Sequence, residues 1–409
     1  MSEITETAYK DGFDMIYLAA CALQNVVPAD EVMEAMAFER VYRLAKSQTM
    51  AAVTFCGLER WEKAKTAVAL ELWTKWKEAR EKAIRKNLLF DIEREKLFSF
   101  FEKTGIWYLP LKGSIMKELY PQAGMRQMAD NDILFDLSYR DKVYEYMIGQ
   151  GYESECYNPE TAVELPNVIQ DTVHDTYLKQ PVYNFEMHMV LFGKTGEPQW
   201  RSYYENVKER LLKDEGNDYG YHFRDEDFYV YMTAHACKHF NGGGHGLRNL
   251  MDIYVYLDKK GNLNREYMEK ELEVLGLSAH ESTMRCLAEK LFGARFAEVQ
   301  NGSLRLSDKE REILENCLSS GTYGTAKHRV ENRLKKMNGN ERITVKERLK
   351  YLFRRLIPEE EILLIRYPKL ARKKYLQPLC VLIRMGDGLV HAPKRLWQEF
   401  TYVWKAKKK

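Results

Sequence analysis

Apolar positions recur along this chain with two different periods. Met33, Met36, Ala37, Val41 and Leu44 follow helical spacing after Pro28, and Val68, Leu72, Trp76, Ala79 and Ala83 mark a second, longer helix running toward Phe100. Between about residues 104 and 192 the period shortens, and the pattern alternates between strand and helix. Ile106–Leu111 reads as a buried strand, Ile115–Tyr120 as a short helix, and Ser138–Gln150 as another helix. Tyr152–Tyr157 and two further segments, among them Val182–Val190, read as strands. Helices resume near Asp225 and continue to the end, with polar boundaries at 195–222 and 330–345. The pattern predicts an α+β protein. Its expected parts are an N-terminal helical region (1–103), a small mixed-sheet α/β core (104–200), a helical domain (201–330) and a basic helical C-terminal region (331–409).

Composition narrows the class. At 409 residues, 45% hydrophobic and 30% charged, the chain is long enough for several cores and ordinary for a globular protein. No apolar run approaches the roughly 18 residues needed to cross a bilayer, and the N-terminus MSEITETAYKDGFD lacks a basic leader. The expectation is a cytoplasmic protein without a membrane span. Seven scattered cysteines, none in a C-x-x-C pair, point to reduced thiols and away from a zinc ribbon.

The net charge of +3 is unevenly placed. Residues 331–409 carry 21 Lys and Arg against 8 Asp and Glu, while the remainder carries 42 against 52. Such a region suits a phosphate-rich partner such as RNA, or packs as a helical face against the acidic remainder.

The chemistry concentrates in LPLKGSIMKELYPQAGMRQMADNDILFD, residues 109–136. In Asp130-Asn131-Asp132, strand periodicity sends both carboxylates out of one face, about 7 Å apart. Two carboxylates on a rigid face suit Mg²⁺, a hard cation that keeps company with phosphates. Gly113-Ser114, at a strand-to-helix junction, lets phosphate approach the backbone, with Lys112 in reach. Glu186 and His188 share one face of the later strand, opposite Phe185, Met187 and Met189. Glu186 is the third carboxylate, with Asp171 and Asp175 as substitutes; His188 is read as a phosphate or nucleoside contact or as a structural histidine. Arg126 offers a planar fork to the triphosphate or to a helix carboxylate.

His235 and His239 lie four apart on one helical face, which reads as packing rather than as zinc ligation. Gly242–Gly246 leads into a helix where Arg248 and Asp252 form a local i,i+4 pair, or where Arg248 faces the nucleotide.

With LKGSIMKELYP (111–121), GMRQMADNDILFD (124–136), FEMH (185–188), GLRNLMDI (246–253), IRYPKL (365–370) and LQPLCVLIR (376–384), the chain resembles the uncharacterised nucleotidyltransferases of the DNA polymerase β-like superfamily. That resemblance implies a polymerase β-like nucleotidyltransferase core flanked by helical regions. It also implies a Mg²⁺ (or Mn²⁺) cofactor, an NTP substrate (ATP by default) and an unidentified acceptor. Asp130, Asp132 and Glu186 would hold metal and act in catalysis; Lys112, Gly113, Ser114, Arg126, His188 and Arg248 would bind nucleotide. Two departures stand out: fifteen residues separate Ser114 from Asp130, and Asn131 replaces an apolar residue between the acids. A catalytically silent nucleotide-binding module and an RNA-binding protein using the basic C-terminal region are the alternatives.

Overall fold

The structure, a computed structural model, describes residues 5–155, 157, 159, 173–193, 197–294, 296, 298, 303, 305–322, 324–337, 343–358, 360, 363 and 367–406. Asp171, Cys156 and the Lys194-Thr195 turn lie outside the described residues, as does Asn338-Gly339-Asn340.

A 35-residue helix, Leu70–Thr104, is the spine. At 1.5 Å per residue it is about 50 Å long, and it ends at Gly105, whose φ of 78° closes the helix in the left-handed conformation. Its two halves face different surroundings. Leu72 and Trp76 join the core that the N-terminal helices share with the helical region after residue 190, whereas Leu97 and Phe101 pack beneath the sheet.

The sheet has five strands: β1 (Tyr108–Pro110), β2 (Asn131–Phe135), β3 (Glu153–Ser154), β4 (His174–Lys179) and β5 (Tyr183–His188). Their order is β1-β2-β5-β4-β3, with β2 and β5 parallel and every other pair antiparallel. The fold class is therefore the α+β arrangement that the changing periodicity implies, with helices flanking a mixed sheet. Phe135, Phe185 and Met187 point into the core beside Leu97 and Phe101. Because side chains alternate across a strand, the residues between them emerge on the other face. Register then does the positioning: Asp132 stands opposite Glu186 on β5, and His188 pairs with His174 on β4.

Asn131 takes the side toward the spine, where its Oδ1 accepts from Arg94 (3.2 Å). A polar residue between the two acids is thus satisfied inside the molecule and leaves the acidic face intact. The segment read as a boundary contains a small hairpin, β6 (Leu211–Lys213) with β7 (Tyr221–Phe223), joined to β1 through the Tyr219 carbonyl and the Tyr108 N–H (3.0 Å). Helices Asp225–Gly242 and Arg248–Lys259 follow.

After residue 325 the packing thins. Val330, Leu334, Ile343, Tyr351, Val403 and Ala406 form one small cluster, and Leu363, Ala371 and Cys380 another.

Candidate active site

β1 ends at Pro110, and the Leu111 N–H donates to the Asp132 carbonyl (2.9 Å) before the chain turns sharply at Lys112. The turn gives Lys112 a φ of 35°, an uncommon conformation for a residue with a side chain. It delivers the ammonium to the carboxylate face: Lys112 Nζ lies 3.2 Å from Asp132 Oδ1 and 2.9 Å from His235 Nε2. Gly113 follows because nothing larger fits. A Cβ there would come within 2.8 Å of the Met128 methyl and 3.0 Å of Arg126 Nη1.

One cleft of about 310 Å³ gathers Lys112, Gly113, Arg126, Asp130, Asp132, Glu186, His188 and Arg248. Ser114 lies beside it, buried, with its hydroxyl donating to the Leu111 carbonyl (3.1 Å). The acidic wall comes from β2 and β5. Asp132 is buried, yet Lys112 and the His188 ring (Nε2–Oδ1 2.9 Å) hold its carboxyl well below the usual range. Burial and the neighbouring charges of Asp132 and Glu186 push Asp130 up to about 6. Burial alone would lower Lys112, but the Asp132 charge overrides it and holds the ammonium above its ordinary value. Three carboxylates on one face repel each other, and Lys112 stands among them as an internal counter-ion.

His174 joins this wall. Its Nδ1 is 3.5 Å from Glu186 Oε2, and His188 Nε2 is 3.7 Å from the same oxygen. Ligand atoms of His174, Glu186 and His188 lie within 4.8 Å of one another. Nδ1 of His174 and of His188 is buried without completing a hydrogen bond among the described residues. Two imidazoles and a carboxylate, with Asp130 and Asp132 beside them, are a donor set that fits a divalent cation.

The opposite wall is basic and comes from the helices. Lys112 has no acceptor of its own, so it donates to His235 Nε2 and leaves the His235 proton on Nδ1. Burial and the Lys112 charge push His235 far below its ordinary value, keeping the ring neutral. His239 Nε2 is 3.0 Å from His235 Nε2. Lys238 also lines the cleft, and burial followed by the Lys112 charge lowers it to about 8. The i,i+4 histidine pair that reads as packing is thus part of the cleft, and Lys238 and His174 were not singled out from sequence.

Arg126 has a different partner from a triphosphate. Its fork is engaged by Asp252, with Nε–Oδ1 and Nη2–Oδ2 both 2.9 Å, and the Tyr120 hydroxyl also donates to Asp252 Oδ1 (2.7 Å). Both side chains of the ion pair are buried, which makes it a strut between the turn and the second helical wall. The local Arg248–Asp252 pair is absent for the same reason: the bidentate fork of Arg126 occupies that carboxylate. Arg248 donates instead to the Gln127 carbonyl (3.0 Å) and to Thr49 Oγ1 (3.4 Å) at the cleft edge. Asp175, the substitute acid, is held by Arg140 at 2.7 Å through both oxygens.

Comparisons with known proteins return a single kind of relationship. No curated protein and no solved structure matches the chain. A family model described as uncharacterised nucleotidyltransferase matches residues 34–293, well over half of the chain and all of the cleft except Thr322. The chain belongs to this family of uncharacterised nucleotidyltransferases.

Proposed function

We propose that this protein is a Mg²⁺-dependent enzyme that moves a nucleoside monophosphate from an NTP, ATP in the first instance, to an acceptor and releases pyrophosphate. The observation that carries this reading is the meeting of two kinds of group in one cleft: Asp130, Asp132 and Glu186 share it with Lys238 and Arg248. A triphosphate carried with its cation needs both, carboxylate oxygens for the metal and cationic donors for the phosphates.

Asp130, Asp132 and Glu186 would hold the divalent ion, which when bound activates the attacking oxygen and offsets charge on the α-phosphate. Asp132 is kept ionised by Lys112 and His188, so the acidic wall presents an acceptor-only carboxylate before substrate arrives. Gly113, whose missing side chain makes room for Met128 and Arg126, lets the turn close against the cleft. Lys238 and Arg248 reach the phosphate oxygens from the helical wall. The mixed donors at Glu186 also accommodate Mn²⁺.

The test is transfer of label from each of four α-³²P NTPs, with Mg²⁺ or Mn²⁺ and a cell extract as acceptor source. The expected result is a labelled acceptor with the native chain and none with Asp132→Asn. Metal-dependent NTP binding without transfer would favour a nucleotide-sensing module. Neither binding nor transfer would remove the proposal.

A further inference from the structure

The helices after residue 343 expose apolar side chains that a folded core would cover. On Val345–Leu356, the residues Val345, Leu349, Phe353 and Leu356 are all exposed, at spacings of four, four and three. That spacing is one helical stripe. Lys346, Lys350 and Arg354 each follow a stripe residue by one position, so cations flank it. On Pro393–Lys405 the stripe is Trp397, Phe400 and Trp404, whose successive rings lie 5.9 and 6.1 Å apart. Leu382, Leu389 and Val390 are exposed on Gln377–His391 between them. Phe353 is 63% exposed and Trp397 71%.

Beside these stripes lies a cavity of about 570 Å³ lined by Arg333, Arg354, Arg355 and Arg384, with Met337 and Tyr351 as apolar walls. No carboxylate among the described residues lines it. Glu399 pairs with Arg355 nearby (2.9 Å). Guanidinium forks grouped this way suit phosphate oxygens.

We propose that this face docks on an anionic phospholipid surface. The arginine cavity receives a lipid headgroup phosphate, and the Phe353 and Trp397–Trp404 stripes enter the interfacial layer. Three observations select this occupant. A second copy is disfavoured because residues 331–409 carry +13, and two such faces repel. Nucleic acid would engage the arginines and stack on aromatic rings, but it leaves the aliphatic Leu349, Leu382, Leu389 and Val390 in water. The helices carry apolar stripes flanked by cations, which is the pattern of a helix lying along an anionic lipid surface. The proposal is independent of the nucleotidyl-transfer reading.

The experiment is co-sedimentation of the full chain with phosphatidylcholine vesicles with and without phosphatidylglycerol, at low and high salt. The expected result is binding that requires the anionic lipid and weakens with salt. The triple variant Trp397→Ser/Phe400→Ser/Trp404→Ser should lose at least about tenfold in partitioning. Lys350→Glu/Arg354→Glu should lose a comparable factor, while both variants keep the native circular dichroism spectrum and melting temperature. Four outcomes overturn the proposal: no sedimentation with anionic vesicles, sedimentation that the triple variant retains, binding to poly(U) but not to vesicles, or a native dimer that the triple variant converts to monomer.

Discussion

Asp132 and Phe353 stand at opposite ends of one scale. The carboxylate of Asp132 is 6% exposed and keeps its charge inside the protein, beside Lys112 and His188. Phe353, on Val345–Leu356, is 63% exposed and keeps its ring in water. Burying a charge is costly unless it is paired, and leaving a large apolar side chain in solvent forfeits about 2 kcal/mol that burial would supply. The two regions therefore carry unfavourable features of opposite kinds. In the cleft the surrounding fold over-determines the arrangement through a parallel strand pair, a buried Arg126–Asp252 strut and a 35-residue helix. In the C-terminal helices little among the described residues surrounds the exposed side chains, and the proposed membrane docking would supply the compensation.

The comparison breaks first at Asp132. Asp132→Asn keeps shape and removes charge, so nucleotidyl transfer should fall by at least ~10³-fold, about 4 kcal/mol of transition-state stabilisation. Label transfer under saturating NTP measures it. A loss below tenfold would mean that the buried charge serves packing rather than chemistry.

Asp252 tests whether the cleft is over-determined. Asp252→Ala strands the Arg126 guanidinium in a buried position and removes the acceptor of the Tyr120 hydroxyl. Unfolding in urea should show a loss of about 3 kcal/mol. A change under about 1 kcal/mol would show that Arg126 finds another partner and that the strut is dispensable.

Lys238 separates stability from function. Its ordinary value is 10.5, and in the folded protein it lies near 8. Between those values the unfolded chain binds more protons than the folded one, so this group's contribution makes stability rise with pH from about 8 to 10.5. Lys238→Met should accordingly stabilise the protein at pH 7 by about 1 kcal/mol, after allowing for solvent screening of a half-buried ammonium. That gain should disappear above pH 10.5. The same variant should bind NTP severalfold more weakly, and native affinity should fall as pH rises through 8. Calorimetric titration and thermal melts across that range check both. A variant that stabilises without weakening NTP would move Lys238 out of the phosphate wall.

The sheet was legible in the sequence because alternation is local. Phe185 and Met187 against Glu186 and His188 on β5 declare one face each, as does the Asp-Asn-Asp segment that opens β2. The face of a helix is equally local, so the His235–His239 pair was visible as a pair. Its destination was not, because the cleft forms only when the Lys112 turn meets a helix more than a hundred residues later. His174 was hidden for a related reason: β4 shows it as one polar residue among several, and only antiparallel pairing sets it against His188. Arg126 illustrates the limit most clearly. Its fork reads from sequence as facing either the triphosphate or a helix carboxylate, and only the fold shows that Asp252, 126 residues away, engages both arms. Spacing along one helix suggested Arg248 for that carboxylate, and tertiary geometry chose a bidentate partner over a single local pair.

Phe353 gives the smallest effect and the sharpest contrast. Phe185, on β5 and 1% exposed, fills space among Tyr152, Tyr177 and Met187, so Phe185→Ala should cost about 3–5 kcal/mol as a cavity opens. Phe353→Ala removes the same atoms from a ring already in water. It should change unfolding free energy by less than about 0.5 kcal/mol, within the range of ordinary surface substitutions. If Phe353→Ala instead costs 2 kcal/mol or more in urea titrations (about the full burial of such a side chain), the ring is covered within the isolated chain. The C-terminal helices would then belong to the same closed core as the sheet, and the difference between the two regions would vanish.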